Sequence, residues 1–274
     1  MSSSYEFNRT FKIQVWKQVL EDFKSEKDVE SIVYRSLNKE EYDTFPKRFD
    51  KTDIEFIQKD CVYSAIDNIR LGYNPLLLNM ASNYVPGGGV RKGCAAQEEE
   101  LFRRSNYYRH LHSKYYPLEE MWNVISEGVV YYRLGAESNY ELMKFPTKID
   151  CIAAAALRHP TLDRTGMRFY DKKEADLFKD KIRMLFYSSY KHGNDCLILS
   201  AWGCGAFGCP TEHVARLFKE VIEEKQGCFK KIVFAIFDDD NFQRFKKGYE
   251  HGVGDLNKLQ DRYTEKVLVI KKDC

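Results

Sequence analysis

One stretch constrains the fold more than any other. An apolar run, Leu76 to Leu78, ends at Asn79 and is followed by a Pro–Gly–Gly–Gly turn at Pro86 to Gly89. After a spacer of seven residues, Gln97, Glu98, Glu99 and Glu100 open a segment with helical pattern. A buried strand, a tight turn and a helix in that order are the pieces of a parallel α/β unit. Glycines tolerate positive φ and let backbone N–H groups approach a ligand closely, and a glycine-rich turn leading into a helix is a natural anion cradle. Carboxylates directly behind it would repel a phosphate. That juxtaposition points to a ligand with phosphates at one end and chemistry at the other.

The rest of the chain repeats the alternation. Ile54 and Phe56 mark a short strand, and residues 60–70 have helical apolar spacing with Asp60 as N-cap, completing a right-handed βαβ unit with the 76–79 strand. Further strands are expected at 128–133, 150–157, 196–200, 230–237 and 266–270, and helices at 175–190 and 211–225, the latter capped by Thr211. The segment 137–150 reads as hairpin or loop, and the Asp238–Asp240 run equally as a solvated loop. Residues 1–50 read as one or two amphipathic helices forming a cap, and 51–274 as the main domain. The expected class is α/β, a three-layer α/β/α mixed sheet with an N-terminal helical extension. In such sheets ligands bind beyond the carboxyl ends of the strands, where every motif named here falls.

Composition excludes several classes. The 43 basic residues nearly balance the 41 acidic ones, so nothing marks a general nucleic-acid or membrane binder. No apolar run approaches the ~18 residues of a membrane span, and the first residues lack the apolar core of a secretory signal. Eight cysteines include no CxxC pair, and Cys204 and Cys209 have no zinc-like histidine spacing, so reduced thiols in an intracellular protein are expected. No metal and no cofactor is implied. The six histidines are scattered, and neither Ser105 nor any cysteine has a triad context.

Two motifs carry a family resemblance. GGG, seven residues, then QEE, preceded by LLLNMASNYVP, resembles the signature of the microbial-type poly(ADP-ribose) glycohydrolases, which are macrodomain enzymes. LSAWGCGAFGCP, from Leu199 to Pro210, is similar to their diphosphate-binding loop. The resemblance covers roughly Thr52 to Phe245 and implies a macrodomain-like fold.

It also implies roles. Glu99 would be the catalytic acid, and Glu98 would hold ribose hydroxyls with Gln97 in support. Adjacent helical residues lie about 100° apart, so Glu98 and Glu99 are not expected to share one task, and Glu100 is expected to face solvent. Asn79 would bond the distal ribose. Gly87, Gly88, Gly89 and Val90 would wrap the ribose and diphosphate. Gly203, Cys204, Gly205, Ala206 and Gly208 would present N–H groups to phosphate, with Phe207 packed on the distal ribose. Phe237 and Asn241, after the 231–236 strand, are placed for adenine, and Trp202 is structural.

The chemistry fits such a set. Cleaving a glycosidic bond develops oxocarbenium character and needs a protonated carboxyl at the departing oxygen, hence a raised glutamate pKa, for which burial and a like charge nearby are the ordinary causes. The implied activity is hydrolysis of ribose–ribose bonds in poly(ADP-ribose), mainly from chain ends, by a monomer that releases ADP-ribose and acts on ADP-ribosylated proteins. Two alternatives stay open: hydrolysis of single ADP-ribosyl groups, and a non-catalytic ADP-ribose reader. A P-loop ATPase is a distant fourth reading, since GxxxxGK[ST] is absent and GGGVRKG lacks the Lys-Ser/Thr pair.

Overall fold

The computed structural model describes residues 2–253. The expected strand at 266–270 and Cys274 lie outside the described residues. The helices are α1 (Ser2–Asp22), α2 (Lys39–Asp43), α3 (Cys61–Arg70), α4 (Gln97–Arg103), α5 (Lys172–His192), α6 (Thr211–Glu224) and α7 (Asp239–His251). The strands are β1 (Ile32–Tyr34), β2 (Asp53–Ile57), β3 (Pro75–Met80), β4 (Asn123–Arg133), β5 (Leu142–Ala154), β6 (Cys196–Leu199) and β7 (Lys231–Ala235).

These strands form one mixed sheet in the order β1-β4-β5-β3-β6-β7-β2. From β5 to β2 every pairing is parallel, while β4 runs antiparallel to both β5 and β1. The carboxyl ends of β5, β3, β6, β7 and β2 therefore share one edge of the sheet. Side chains alternate between two cores, as the two-residue period of a strand requires. Leu76, Leu78, Ile152, Leu197 and Phe234 pack with α5, α6 and α7 through Phe178, Ile182, Phe218 and Phe245. Leu77, Cys151, Ala153, Ile198 and Val233 pack on the other face with Trp16 and Val19 of α1, Val62 and Ile66 of α3, and Phe102 of α4. The three-layer α/β/α class is borne out.

Several local expectations hold, and several need correction. Asp60 caps α3, its carboxylate accepting the N–H of Val62 at 3.0 Å and of Tyr63 at 3.1 Å. Thr211 does not cap α6: Pro210 holds that position, and Thr211, the first helical residue, hydrogen-bonds Asn241 at 3.0 Å instead. The segment 142–149 is strand, because β5 pairs with β4 in a long hairpin whose cross-strand ladder outweighs the polar composition. Residues 32–34 form an edge strand rather than helix. Asp238 caps α7, accepting the Asn241 N–H at 2.9 Å. The seven cysteines among the described residues are free.

Candidate active site

The turn after β3 is built to hold carboxylates. Gly87 and Gly88 adopt left-handed φ values of 74° and 51°, which glycine reaches without steric cost. That turns the N–H groups of Gly87 and Gly89 inward. Gly87 donates to Glu98 Oε1 at 3.1 Å and Gly89 to Glu99 Oε1 at 2.7 Å, while the N–H groups of Gly88 and Val90 close the turn itself on Val85 O and Gly87 O. The anions in this cradle are thus the protein's own glutamates, which removes the conflict between a phosphate-type turn and the carboxylates behind it. Val90 is buried in the core, so its side chain packs rather than lining an open site.

Glu98 and Glu99 converge on that turn despite their helical offset. Their relative exposures are 3% and 7%. Two long side chains on one short helix can both reach back to the turn that precedes it, so the angular argument from sequence did not separate them. Glu98 also accepts the Ser82 N–H at 2.7 Å and the Asn79 side-chain amide at 3.3 Å. Burial pushes the Glu98 pKa up to about 8, and the neighbouring Glu99 charge adds to this, while the donors from Ser82, Asn79 and Gly87 pull the other way. Glu99 Oε2 and Asn79 Oδ1 are buried with no partner. Glu100 is not free in solvent: it bonds Arg103 at 3.0 Å and the Tyr140 hydroxyl at 2.8 Å.

Gln97 fixes the helix to the sheet. Its carboxamide accepts the Met80 N–H at 2.9 Å and donates to Leu78 O at 2.7 Å, extending β3 as a further strand would. Asn79, at the same strand end, is fully buried.

The second loop, between β6 and α6, has the opposite character. Among the described residues no acceptor takes the N–H groups of Gly203, Gly205, Ala206 or Phe207, whereas Cys204, Gly208 and Cys209 close the loop on Ala201 O, Gly205 O and Gly203 O. Unpaired N–H groups on an exposed loop are what an anion needs. Gly203 is held at φ 78° where a Cβ would come within 2.7 Å of the Ala156 Cβ. Cys204 is half-buried against the core. Trp202 is structural, its indole N–H bonded to Ala154 O at 3.1 Å.

A cleft of about 780 Å³ runs along the carboxyl edge of the sheet, lined by Gln97, Gly205 and Phe237 together with Met80, Ser200 and Asn241. Phe237 is 75% exposed there. Glu98, Glu99 and Phe207 do not line this cleft. Sequence reasoning missed the wall formed by Lys12, Asp60, Tyr63 and Arg104. Asp60 was legible as a cap, but its 2.8 Å ion pair with the buried Arg104 joins positions 44 apart and had no local signal. Among the described residues no group of three or more His, Cys, Asp or Glu could hold a metal ion, and no helix is long and apolar enough to cross a membrane.

Residues 6–132 match the family model of the microbial-type PARG catalytic domain. That match agrees with the family resemblance read from the sequence. The microbial-type PARG match begins within the first fifty residues, ahead of the span the motifs covered, and ends at β4, before the second loop. No curated protein matches the chain. Among solved structures, poly(ADP-ribose) glycohydrolase from Thermomonospora curvata superposes with a TM-score of 0.69 at 21% identity, over 86% of this chain and 98% of that one. The Deinococcus radiodurans enzyme in complex with ADP-ribose gives 0.68 at 23%, over 80% and 94%. A T. curvata structure bound to the inhibitor ADP-HPD gives 0.67 at 20%, over 86% and 98%. These likenesses establish the macrodomain-like fold.

Proposed function

We propose that this chain is a poly(ADP-ribose) glycohydrolase that hydrolyses the O-glycosidic ribose–ribose bond and releases ADP-ribose. The observation that carries this reading is the division of labour between the two loops: one commits its N–H groups to two buried carboxyls, and the other leaves its N–H groups unpaired. A ligand with a diphosphate at one end and a reacting sugar at the other fits that pair. The match to the PARG catalytic-domain model supports the reaction class, and the similar structures holding ADP-ribose or an inhibitor support the ligand.

In this reading Glu99 delivers a proton to the departing oxygen and then takes one from the attacking water. Its unpartnered oxygen is the atom available for that transfer. Glu98, kept protonated near neutrality by burial, donates to a ribose hydroxyl, and Asn79 Oδ1 accepts from one. Gly87 to Gly89 hold both carboxyls in place, with Val90 anchoring the turn and Gln97 tying the helix to β3. Gly203, Cys204, Gly205, Ala206 and Gly208 form the diphosphate loop, Phe207 packs on the distal ribose, and Phe237 stacks on adenine. Cleavage starts at chain ends, the product leaves as ADP-ribose, and the protein works as an intracellular monomer on ADP-ribosylated proteins.

The test is incubation with automodified polymer and with mono-ADP-ribosylated protein, resolving the products by size. Release of ADP-ribose from the polymer, with the protein-linked unit retained, is the expected result. Release from the mono-modified protein alone would favour single-unit removal. Tight ADP-ribose binding with no release from either would make the protein a reader.

A further inference from the structure

We propose that Arg158 is the cation that grips the diphosphate of the bound ADP-ribose unit, a role that rests on the function proposed above. The guanidinium carbon of Arg158 lies 5.5 Å from the centre of the Tyr84 ring and 6.0 Å from that of Phe207. Tyr84 stands in the loop that leads to the glycine turn, and Phe207 stands in the second loop. Arg158 thus bridges the two loops assigned to the two ends of the ligand. It is exposed, and it forms no ion pair or hydrogen bond with any described residue.

The segment that carries it is fastened in place. β5 ends at Ala154, and the next residues run under the second loop. Leu157 O accepts from the Cys209 thiol at 3.1 Å, and the His159 N–H donates to Phe207 O at 2.7 Å. His159 takes a left-handed φ of 50°, a conformation uncommon outside glycine that recurs at functional sites. Arg158 is therefore held between two anchors instead of waving from a loose loop.

Charge balance supplies the need. A diphosphate brings two negative charges next to Glu98 and Glu99, and the second loop answers with neutral N–H dipoles. Of the cations that line the neighbouring cleft, Arg104 is committed to Asp60 and Lys59 to Asp67, which leaves Lys12. A guanidinium suits the position because its faces stack on aromatic rings while its edges donate to phosphate oxygens. An exposed arginine contacting two rings is otherwise an ordinary surface feature. The lack of an acidic partner, together with the two anchors, separates it from that background.

The experiment measures ADP-ribose affinity of wild-type, Arg158→Gln and Arg158→Lys proteins by titration calorimetry at several salt concentrations, with initial rates on polymer. Arg158→Gln should weaken binding by about 10–100-fold, the range for a lost charged hydrogen bond. It should raise KM while kcat changes by less than about threefold, and the salt dependence of binding should flatten. Arg158→Lys should recover part of the affinity. A loop-packing role would not move the salt dependence. Lys12→Gln is the control, since Lys12 lines the cleft, which Arg158 does not, and forms no ion pair with any described residue. Unchanged binding in Arg158→Gln, or the effect appearing in Lys12→Gln alone, overturns the assignment while leaving the proposed function standing. A wild-type protein that does not bind ADP-ribose overturns both.

Discussion

Gly88 lies so close to the Glu99 carboxylate that a Cβ on it would stand 2.7 Å from Glu99 Oε1 and 3.1 Å from Glu98 Oε2. The glycine at this point of the turn is thus a steric requirement of the two carboxyls, in addition to a conformational one at φ 51°.

Gly88→Ala should therefore displace both glutamates. A displacement of even 1 Å at a reacting centre lowers rates on the order of 100-fold, so polymer hydrolysis should fall by at least about that much. Melting should shift down as well, since Gly88 is half-buried at a left-handed φ and packs on two buried carboxyls. Steady-state kinetics with a parallel thermal melt would show it, and near-normal turnover would remove the contact from the mechanism.

Glu99→Gln keeps an acceptor oxygen for the Gly89 N–H and loses the transferable proton. Turnover should drop by about 10²–10⁴-fold, the usual worth of a positioned general acid–base, with ADP-ribose affinity within a few-fold of wild type. Retained hydrolysis would take Glu99 out of the role.

Glu98 gives a stability signature. Its folded pKa of about 8 lies above the ordinary 4.5, so the folded state holds a proton that the unfolded chain has released between those values. Its contribution is fully present below about pH 4.5 and is lost as pH rises through about 8. The slope from this one group is at most about 1.4 kcal/mol per pH unit. Glu98→Gln lacks the titration, so denaturation at pH 5, 7 and 9 should show the variant gaining on the wild type as pH rises. Parallel stability curves would place the Glu98 pKa in the ordinary range.

Asp60 serves two elements. One oxygen caps α3, and the other pairs with Arg104 at 2.8 Å, whose side chain is only 1% exposed. Asp60→Ala leaves that guanidinium buried without its counter-charge and should cost about 3–5 kcal/mol. Asp60→Asn keeps a capping oxygen and should cost less, and the gap between the two in urea denaturation measures the cap at roughly 1 kcal/mol. Equal losses would mean the cap contributes nothing beyond the charge.

Much of the fold was legible because its signals are local. The 76–79 strand, the Asp60 cap and the helix opening at Gln97 each follow from a few neighbouring residues. The 142–149 strand was legible only as one of two readings, hairpin or loop, because its polar sequence is held by pairing with β4. The edge strand at 32–34 likewise exists through its pairing with Ile125 and its neighbours.

At the site, the residue types and their order were readable, and their contacts were not. Three glycines before two glutamates suggested an anion cradle, but only the folded turn shows that its N–H groups point at the chain's own carboxyls. Asp60 and Arg104, and Tyr84, Arg158 and Phe207, are far apart in the chain, and no periodicity links them.

By itself the sequence determined the α/β class, the family resemblance and the short list of residues able to do the chemistry, because periodicity, turn-forming residues and motif spacing act over a few residues. The tertiary structure decided which carboxyl is desolvated, which N–H groups remain unpaired and which cation faces the ligand loops. Those properties depend on what lies within a few ångströms in space, and chain order carries little of that information.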